Sequence, residues 1–261
     1  MSVRLDHPVE GLWRLLIDRP EKRNAIDFSV RQALIEALDA AVADRDCRAV
    51  VIGGVGGTFS AGGDIASMDG LDEIGARDRM RHIHALCQRL QNLPMPLVAA
   101  VQGYCAGAGA GMAMFADLIV CEPQSKFLFP FLRLGLAPDW GLLRTLPARL
   151  GPARARRLLL GGETVGGEEA VRLGLADELA VDDAMVAALR IAARLAELPH
   201  EAFRQMKSRL AEPAPSFAEE LQREEDDQVR LLLGDDFREG FAAFNEKREP
   251  RFRQREGGSH E

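Results

Sequence analysis

The first half of the chain alternates between short apolar runs and segments whose apolar residues recur every three or four positions. Apolar runs that end at turn residues or glycines predict buried strands at 12–17, 49–52, 97–101 and 118–120. Helical spacing begins after Asp27 and again covers about 77–92, where two prolines end it. This alternation of strands and helices predicts an α/β fold.

From about residue 140 onward, the apolar spacing is helical throughout. The predicted helices cover 153–160, 168–173, 182–196, 200–210, 216–233 and 236–246. We therefore expect a core over residues 1–195 and a helical C-terminal region over 196–255. Residues 256–261 are small and polar and are predicted to form a disordered tail.

Glycine is concentrated directly after two of the predicted strands. Residues 53–63 and 103–111 together hold 10 of the 25 glycines. In an α/β sheet, ligands bind outside the carboxyl ends of the strands, where glycine allows backbone amides to approach a ligand closely. The two clusters therefore predict a ligand site at one edge of the sheet, although tight turns alone would also need glycine.

Neither cluster matches a phosphate-binding motif. Gly57-x4-Gly62 is followed by Gly63 and Asp64 instead of Lys-Ser/Thr, and Gly107-x-Gly109-x-Gly111 lacks the dinucleotide spacing. The remaining chemical use is an oxyanion hole, in which two backbone N–H groups bind one developing negative charge.

Composition and charge exclude several classes of function. The formal net charge of −7 disfavours a nucleic-acid-binding surface. No run of 18 apolar residues and no apolar leader occurs, so we expect neither a membrane anchor nor a signal peptide. The four widely spaced cysteines suggest free thiols in a reducing cytoplasm. His82 and His84 would point in different directions on a helix, so no metal site is expected.

Four segments resemble the crotonase (enoyl-CoA hydratase/isomerase) superfamily. They are Arg19-Pro20-Glu21-Lys22-Arg23-Asn24-Ala25, Phe59-Ser60-Ala61-Gly62-Gly63-Asp64-Ile65, the stretch from Pro96 to Gly109, and the stretch from Glu239 to Arg248. The resemblance implies a ββα-spiral core with a helical trimerisation region, and a homotrimer or dimer of trimers. It also implies a coenzyme A thioester as substrate, with no separate cofactor.

The resemblance assigns expected roles to individual positions. The amides of Gly63 and Ala108 would bind the thioester oxygen, and helix 74–92 with Phe131 would shape the acyl pocket. The coenzyme A contacts would be Arg23, Ala25, Ala61, Asp64 and Ile65, with Phe244 and Lys247 reaching the nucleotide from a neighbouring subunit. A solvated charge is an equally good interpretation of Lys247.

The chain departs from a hydratase at both catalytic glutamates. By resemblance those positions fall at Gly111 and Phe131, which cannot exchange protons. Asp139 remains, and it matches the acid/base aspartate of isomerase-type members of the superfamily. Nearby Phe129, Phe131 and Trp140 are expected to raise the pKa of Asp139 by desolvation. The alternative is that Asp139 caps the following helix.

Other activities stay open at this point. In the dehalogenase branch of the superfamily, the matching aspartate attacks the substrate with help from a histidine, and His84 falls at that position. A lone histidine beside an apolar stripe is more often structural. A hydratase or hydrolase with a rearranged water site and a non-catalytic coenzyme A-binding protein are further alternatives to double-bond migration.

Overall fold

The computed structural model describes residues 2–252, and within them the strands alternate with helices up to about residue 180. The strands are β1 (Val3–Val9), β2 (Leu12–Ile17), β3 (Ala49–Gly54), β4 (Leu97–Val101), β5 (Tyr104–Ala106), β6 (Leu118–Cys121), β7 (Lys126–Leu128), β8 (Val165–Gly166) and β9 (Glu178–Leu179). The helices are α1 (Phe28–Ala43), α2 (Glu73–Gln91), α3 (Ala108–Ala113), α4 (Leu142–Leu150), α5 (Pro152–Gly161), α6 (Gly167–Leu173), α7 (Ala184–Ala196), α8 (His200–Ala211), α9 (Phe217–Leu232) and α10 (Asp235–Glu246).

The main sheet has the strand order β1-β2-β3-β4-β6-β9. Only β1 runs antiparallel to its neighbour, and the other pairs are parallel. Side chains alternate between the faces of a strand. Val50 and Ile52 accordingly belong to the core on the side of α1 and α2, whereas Val51 belongs to a second core on the side of α7. Burial on both faces explains why these strands are apolar throughout.

A second, smaller sheet has the order β5-β7-β8. β5 pairs in parallel with β7, and β7 pairs antiparallel with β8. Isolated bridges between Ile26 and Gly63, and between Ser60 and Cys105, continue this pairing into the loops. The loops that leave β3 and β4 are thereby held together.

The α/β expectation is confirmed, with differences of detail. The strands predicted from apolar runs are present, and the six predicted C-terminal helices agree with the structure to within two residues. The expectation that the chain is wholly helical after residue 140 is wrong, because β8 and β9 lie there. Each is only two residues long, too short to leave an apolar pattern.

Some elements were not predicted from their sequence pattern. β1 is an edge strand with six of its seven residues exposed, so it lacks an apolar run. Helix α2 begins four residues earlier than predicted, because the Asp72 side chain caps it by accepting from the Gly75 amide. The division at residue 195 stays a prediction, and the expected tail at 256–261 lies outside the described residues.

No helix within residues 2–252 is both long enough and apolar enough to cross a lipid bilayer.

Candidate active site

The two glycine-rich loops lie side by side at the carboxyl edge of the main sheet. They leave β3 and β4, which are adjacent parallel strands. The loops stay paired beyond the sheet, because the Ser60 amide donates to the Tyr104 carbonyl at 2.8 Å and the Ala106 amide donates to the Ser60 carbonyl at 3.0 Å. The sequence prediction of one shared site is thus consistent with the backbone pairing.

Ser60 fastens the loops to each other and was not singled out from the sequence. Its hydroxyl donates to the Asn24 carbonyl at 2.8 Å and accepts from the Gly62 amide at 3.1 Å. A Cβ built on Gly109 would lie 2.7 Å from the Ser60 Cβ, so residue 109 must be glycine for the loops to touch. The sequence signal for this role is that Ser60 is a small polar residue between apolar and glycine-rich stretches.

The Gly63 amide points away from its neighbouring strand. The Ile26 amide donates to the Gly62 carbonyl at 2.7 Å, and the Asp64 amide donates to the Ile26 carbonyl at 3.1 Å. In a parallel pairing the residue between two such bonds directs its own N–H to the opposite side. The Gly63 amide is therefore available to a ligand.

The Ala108 amide stands beside it. Ala108 is the first residue of α3, where an amide has no partner inside the helix, and Gly107 turns the chain into this helix with a φ of 48°. A Cβ built on Gly62 would lie only 3.7 Å from the Ala108 nitrogen. The two predicted donors thus lie on neighbouring stretches of backbone, and their joint role as an oxyanion hole stays a prediction.

Asp139 lies in the turn before α4 and does not cap this helix. α4 begins at Leu142 with Gly141 at the capping position. The Asp139 Oδ1 atom is buried and has no hydrogen-bond partner among the described residues. Burial is the largest influence on the Asp139 carboxyl and raises its pKa, while Arg79 and His84 act in the opposite direction. The capping alternative is therefore wrong, and one oxygen of the carboxylate has no partner among the described residues.

Helix α2 presents polar side chains toward Asp139. The Asp139 charge influences both Arg79 and Cys87, and burial raises the pKa of the Cys87 thiol to about 12. His84 is exposed and makes no hydrogen bond to Asp139 within residues 2–252. His82 points elsewhere and is half-buried, because its ring accepts a hydrogen bond from Arg31 and stacks on Phe28 at 4.3 Å.

The position of the first hydratase glutamate has no room for a side chain. A Cβ built on Gly111 would lie 2.4 Å from the Trp140 Cβ. The Trp140 side chain is 2% exposed, and its backbone has a φ of 55°. Gly111 and Trp140 therefore fit together as a pair. At the second glutamate position, Phe131 is buried with 7% exposure.

The contact between Gly111 and Trp140 also places Asp139 near the predicted oxyanion donors. Gly111 lies three residues after Ala108 on α3, and Asp139 directly precedes Trp140. Arg79 approaches from the other side, where its Nη2 atom would lie 3.3 Å from a Cβ built on Gly63. The carboxylate and the two amides consequently belong to one site.

The predicted coenzyme A contacts share one neighbouring surface. The Ala61 amide donates to the Arg23 carbonyl at 2.9 Å, which places these two residues side by side. Arg23, Ala61 and Ile65 are exposed, and Ala25 is partly exposed. The Asp64 carboxylate is held by Lys22 at 3.2 Å and by Arg19 at 3.4 Å, and these cations lower its pKa. Its backbone is occupied as well, because the Asp64 amide donates to the Ile26 carbonyl and the Asp64 carbonyl accepts from the Ser67 amide at 3.0 Å.

Phe244 and Lys247 lie at the end of α10. Phe244 is 82% exposed, and Lys247 ends the helix in the left-handed region with a φ of 54°. Both side chains face outward from this subunit. Their contact with a neighbouring subunit's ligand stays a prediction.

Comparisons with known proteins identify the family of this chain. The family model described as "Enoyl-CoA hydratase/isomerase" matches residues 9–255. A "Probable enoyl-CoA hydratase" of Rhodobacter capsulatus is 38% identical over 93% of this chain and 95% of its own length. The "1,2-epoxyphenylacetyl-CoA isomerase" of Escherichia coli is 32% identical over 97% of this chain and 98% of its own length.

The structural comparison extends the likeness to the whole fold. The crystal structure of a putative enoyl-CoA hydratase from Streptomyces coelicolor A3(2) superposes with a TM-score of 0.92 and 35% sequence identity. It covers 98% of this chain and 95% of the other chain. The crotonase-like fold expected from the sequence is confirmed. With the family match and the relatives, these likenesses establish that the chain is an acyl-CoA enzyme of the enoyl-CoA hydratase/isomerase family.

Proposed function

We propose that this enzyme moves a carbon–carbon double bond within an acyl-CoA thioester, with Asp139 as the acid/base. The observation that carries the proposal is the contact between Gly111 and Trp140. It leaves no space for a glutamate at the position where a hydratase would hold its water. Asp139 directly precedes Trp140, and its buried Oδ1 atom has no hydrogen-bond partner among the described residues.

The proposed reaction needs only a proton to be removed and returned. The Gly63 and Ala108 amides would donate to the thioester oxygen and stabilise the enolate that forms when a proton leaves the acyl chain. Asp139 would accept this proton at one carbon and deliver it to another, so the double bond shifts and no atom is gained or lost. Burial makes the carboxylate a stronger base, while the positive charge of Arg79 helps to keep it ionised.

The names of the relatives support membership of the enoyl-CoA hydratase/isomerase family more than they support isomerase activity. The E. coli relative is named an isomerase and the R. capsulatus relative a probable hydratase, at similar coverage. The residues at the reacting centre therefore carry the proposal.

The test is Asp139→Asn, assayed on 3-enoyl-CoA substrates of several chain lengths. Loss of a general acid/base typically reduces turnover by about 10²- to 10⁴-fold. Asp182→Asn is a matched control, because Asp182 is an exposed aspartate distant in sequence from both glycine loops. Unchanged turnover in Asp139→Asn would exclude this role for Asp139.

Water labelled with ¹⁸O separates the alternative reactions. Double-bond migration incorporates no solvent oxygen, whereas hydration or hydrolysis does. Incorporation would also be expected if Asp139 attacked the substrate with help from His84 and the ester were then hydrolysed. An enzyme that binds coenzyme A tightly but converts no acyl-CoA would indicate a non-catalytic binding protein.

A further inference from the structure

Two arginine side chains meet at the α1/α2 side of the site. Arg79 lies on α2, and its Nη2 atom would lie 3.3 Å from a Cβ built on Gly63. Arg31 lies on α1 and interacts electrostatically with Arg79. One positive charge therefore lies beside a proposed oxyanion donor, and a second is near enough to interact with the first.

Arg79 has no anionic partner in contact with it. Its Nη1 atom donates to the neutral Ser67 hydroxyl at 3.1 Å, and no carboxylate within residues 2–252 forms an ion pair with it. Asp64 and Asp139 act on Arg79 only at longer range. Asp64 is already held by Arg19 and Lys22. Burial lowers the pKa of Arg79, as expected for a cation without a close counter-ion.

Arg31 is buried still more deeply, with 3% of the residue exposed. Its Nε atom donates to the His82 Nδ1 atom at 3.1 Å, while its Nη1 atom is buried without any partner among the described residues. Asp27 acts on Arg31 at long range but is paired with Arg19 at 2.8 Å. Burial, reinforced by the charge of Arg79, lowers the pKa of Arg31 to about 10.

The charges around this corner do not balance. The cations are Arg19, Lys22, Arg31 and Arg79, and the anions are Asp27, Asp64 and Asp139. Proteins rarely bury an arginine whose hydrogen-bonding capacity is unfilled, because desolvation of an unpaired charge is costly. Arg31 and Arg79 are therefore cations without a close carboxylate among residues 2–252, and Arg79 is the one that lies beside Gly63.

We propose that Arg79, backed by Arg31, binds a carboxylate carried by the acyl group of the substrate. The planar guanidinium of an arginine matches a carboxylate with two parallel hydrogen bonds. Arg79 lies beside Gly63, which binds the thioester oxygen in the proposed function, so the anion would belong to the acyl part of the thioester. This step rests on the proposed function. A phosphate of coenzyme A could satisfy the same chemistry, and the experiment distinguishes the two sources.

The experiment measures binding of saturated thioesters by calorimetry, so no double bond has to move. Succinyl-, glutaryl- and adipyl-CoA are each compared with the uncharged thioester of equal carbon number: butyryl-, pentanoyl- and hexanoyl-CoA. Free coenzyme A is the third ligand. We expect the wild-type enzyme to bind at least one carboxylated thioester about ten- to a hundredfold more tightly than its uncharged match, the size of a charged hydrogen-bonded pair.

Arg79→Gln is expected to abolish this preference while leaving affinity for the uncharged thioesters and free coenzyme A unchanged. Arg79→Lys should restore part of it. Arg77→Gln is the matched control, because Arg77 lies on the same helix, is exposed and pairs with Glu73. It should retain the full preference.

Equal binding of both ligand series by the wild-type enzyme would overturn the proposal. So would a preference that survives in Arg79→Gln, or an equal loss of affinity for free coenzyme A, which would assign the anion to a phosphate. An enzyme that prefers carboxylated thioesters but isomerises no 3-enoyl-CoA, with or without a terminal carboxylate, would refute the proposed function and leave this inference standing.

Discussion

Replacing Gly111 by alanine adds one methyl group where the structure has no room. The added Cβ would lie 2.4 Å from the Trp140 Cβ and 3.1 Å from its Cγ, whereas carbon atoms pack at about 3.5–4.0 Å. An overlap of more than about 1 Å with a buried turn cannot be relieved by rotating a side chain, because Cβ atoms move only with the backbone. Overpacking of this kind typically costs about 1–3 kcal/mol.

Gly111→Ala should therefore lower the free energy of unfolding by about 1–3 kcal/mol, although alanine is the better helix former by about 1 kcal/mol. It should also reduce turnover, because the displaced residue Trp140 directly follows Asp139. Urea unfolding and steady-state kinetics on the same preparation measure both effects.

The partner of the clash can be identified by changing residue 140. Trp140→Ala keeps the Cβ, so Gly111→Ala should remain destabilising in that background. Trp140→Gly removes the Cβ and suits the φ of 55°, so Gly111→Ala should become neutral, or stabilising by up to about 1 kcal/mol. Gly166→Ala is the control for alanine itself, because a Cβ there meets nothing within 4 Å. A Gly111→Ala enzyme with wild-type stability and turnover would refute the reasoning.

Two further predictions concern Asp139 and the end of α10. The pKa of Asp139 is raised in the folded state, so ionisation of this carboxyl opposes folding. Its contribution to stability is therefore fully present at low pH and declines as the pH rises above the usual pKa of aspartate. Asp139→Asn should thus raise the melting temperature at pH 7 more than at pH 4. If the Lys247 amine reaches the nucleotide, Lys247→Ala should raise KM for an acyl-CoA several-fold with little change in kcat. The same variant should not alter KM for the matching acyl-pantetheine, which lacks the nucleotide, and equal effects on both thioesters would contradict the contact.

Much of the fold could be predicted because its strands and helices leave simple patterns. β3 and β4 are buried on both faces and are apolar throughout, so their sequences alone indicate strands. β1, by contrast, is an exposed edge strand that leaves no such pattern, and β8 and β9 form through pairing with other strands. Such elements depend on partners that are distant in sequence.

The sequence by itself predicted glycine-rich loops after two buried strands. Its resemblance to the crotonase superfamily then predicted which backbone amides and which carboxylate form the candidate site, and that both hydratase glutamates are missing. It did not reveal why Gly111 is glycine, because Trp140 lies 29 positions away and only folding brings the two Cβ positions together.

Tertiary structure also decided the electrostatics of the site. Nothing in the sequence around Arg31 and Arg79 indicates that either arginine is buried beside the site. Burial depends on which faces of α1 and α2 meet, and the charge balance depends on which carboxylates other cations already hold. Burial and charge balance both depend on residues that are distant in sequence, so only the folded chain determines them.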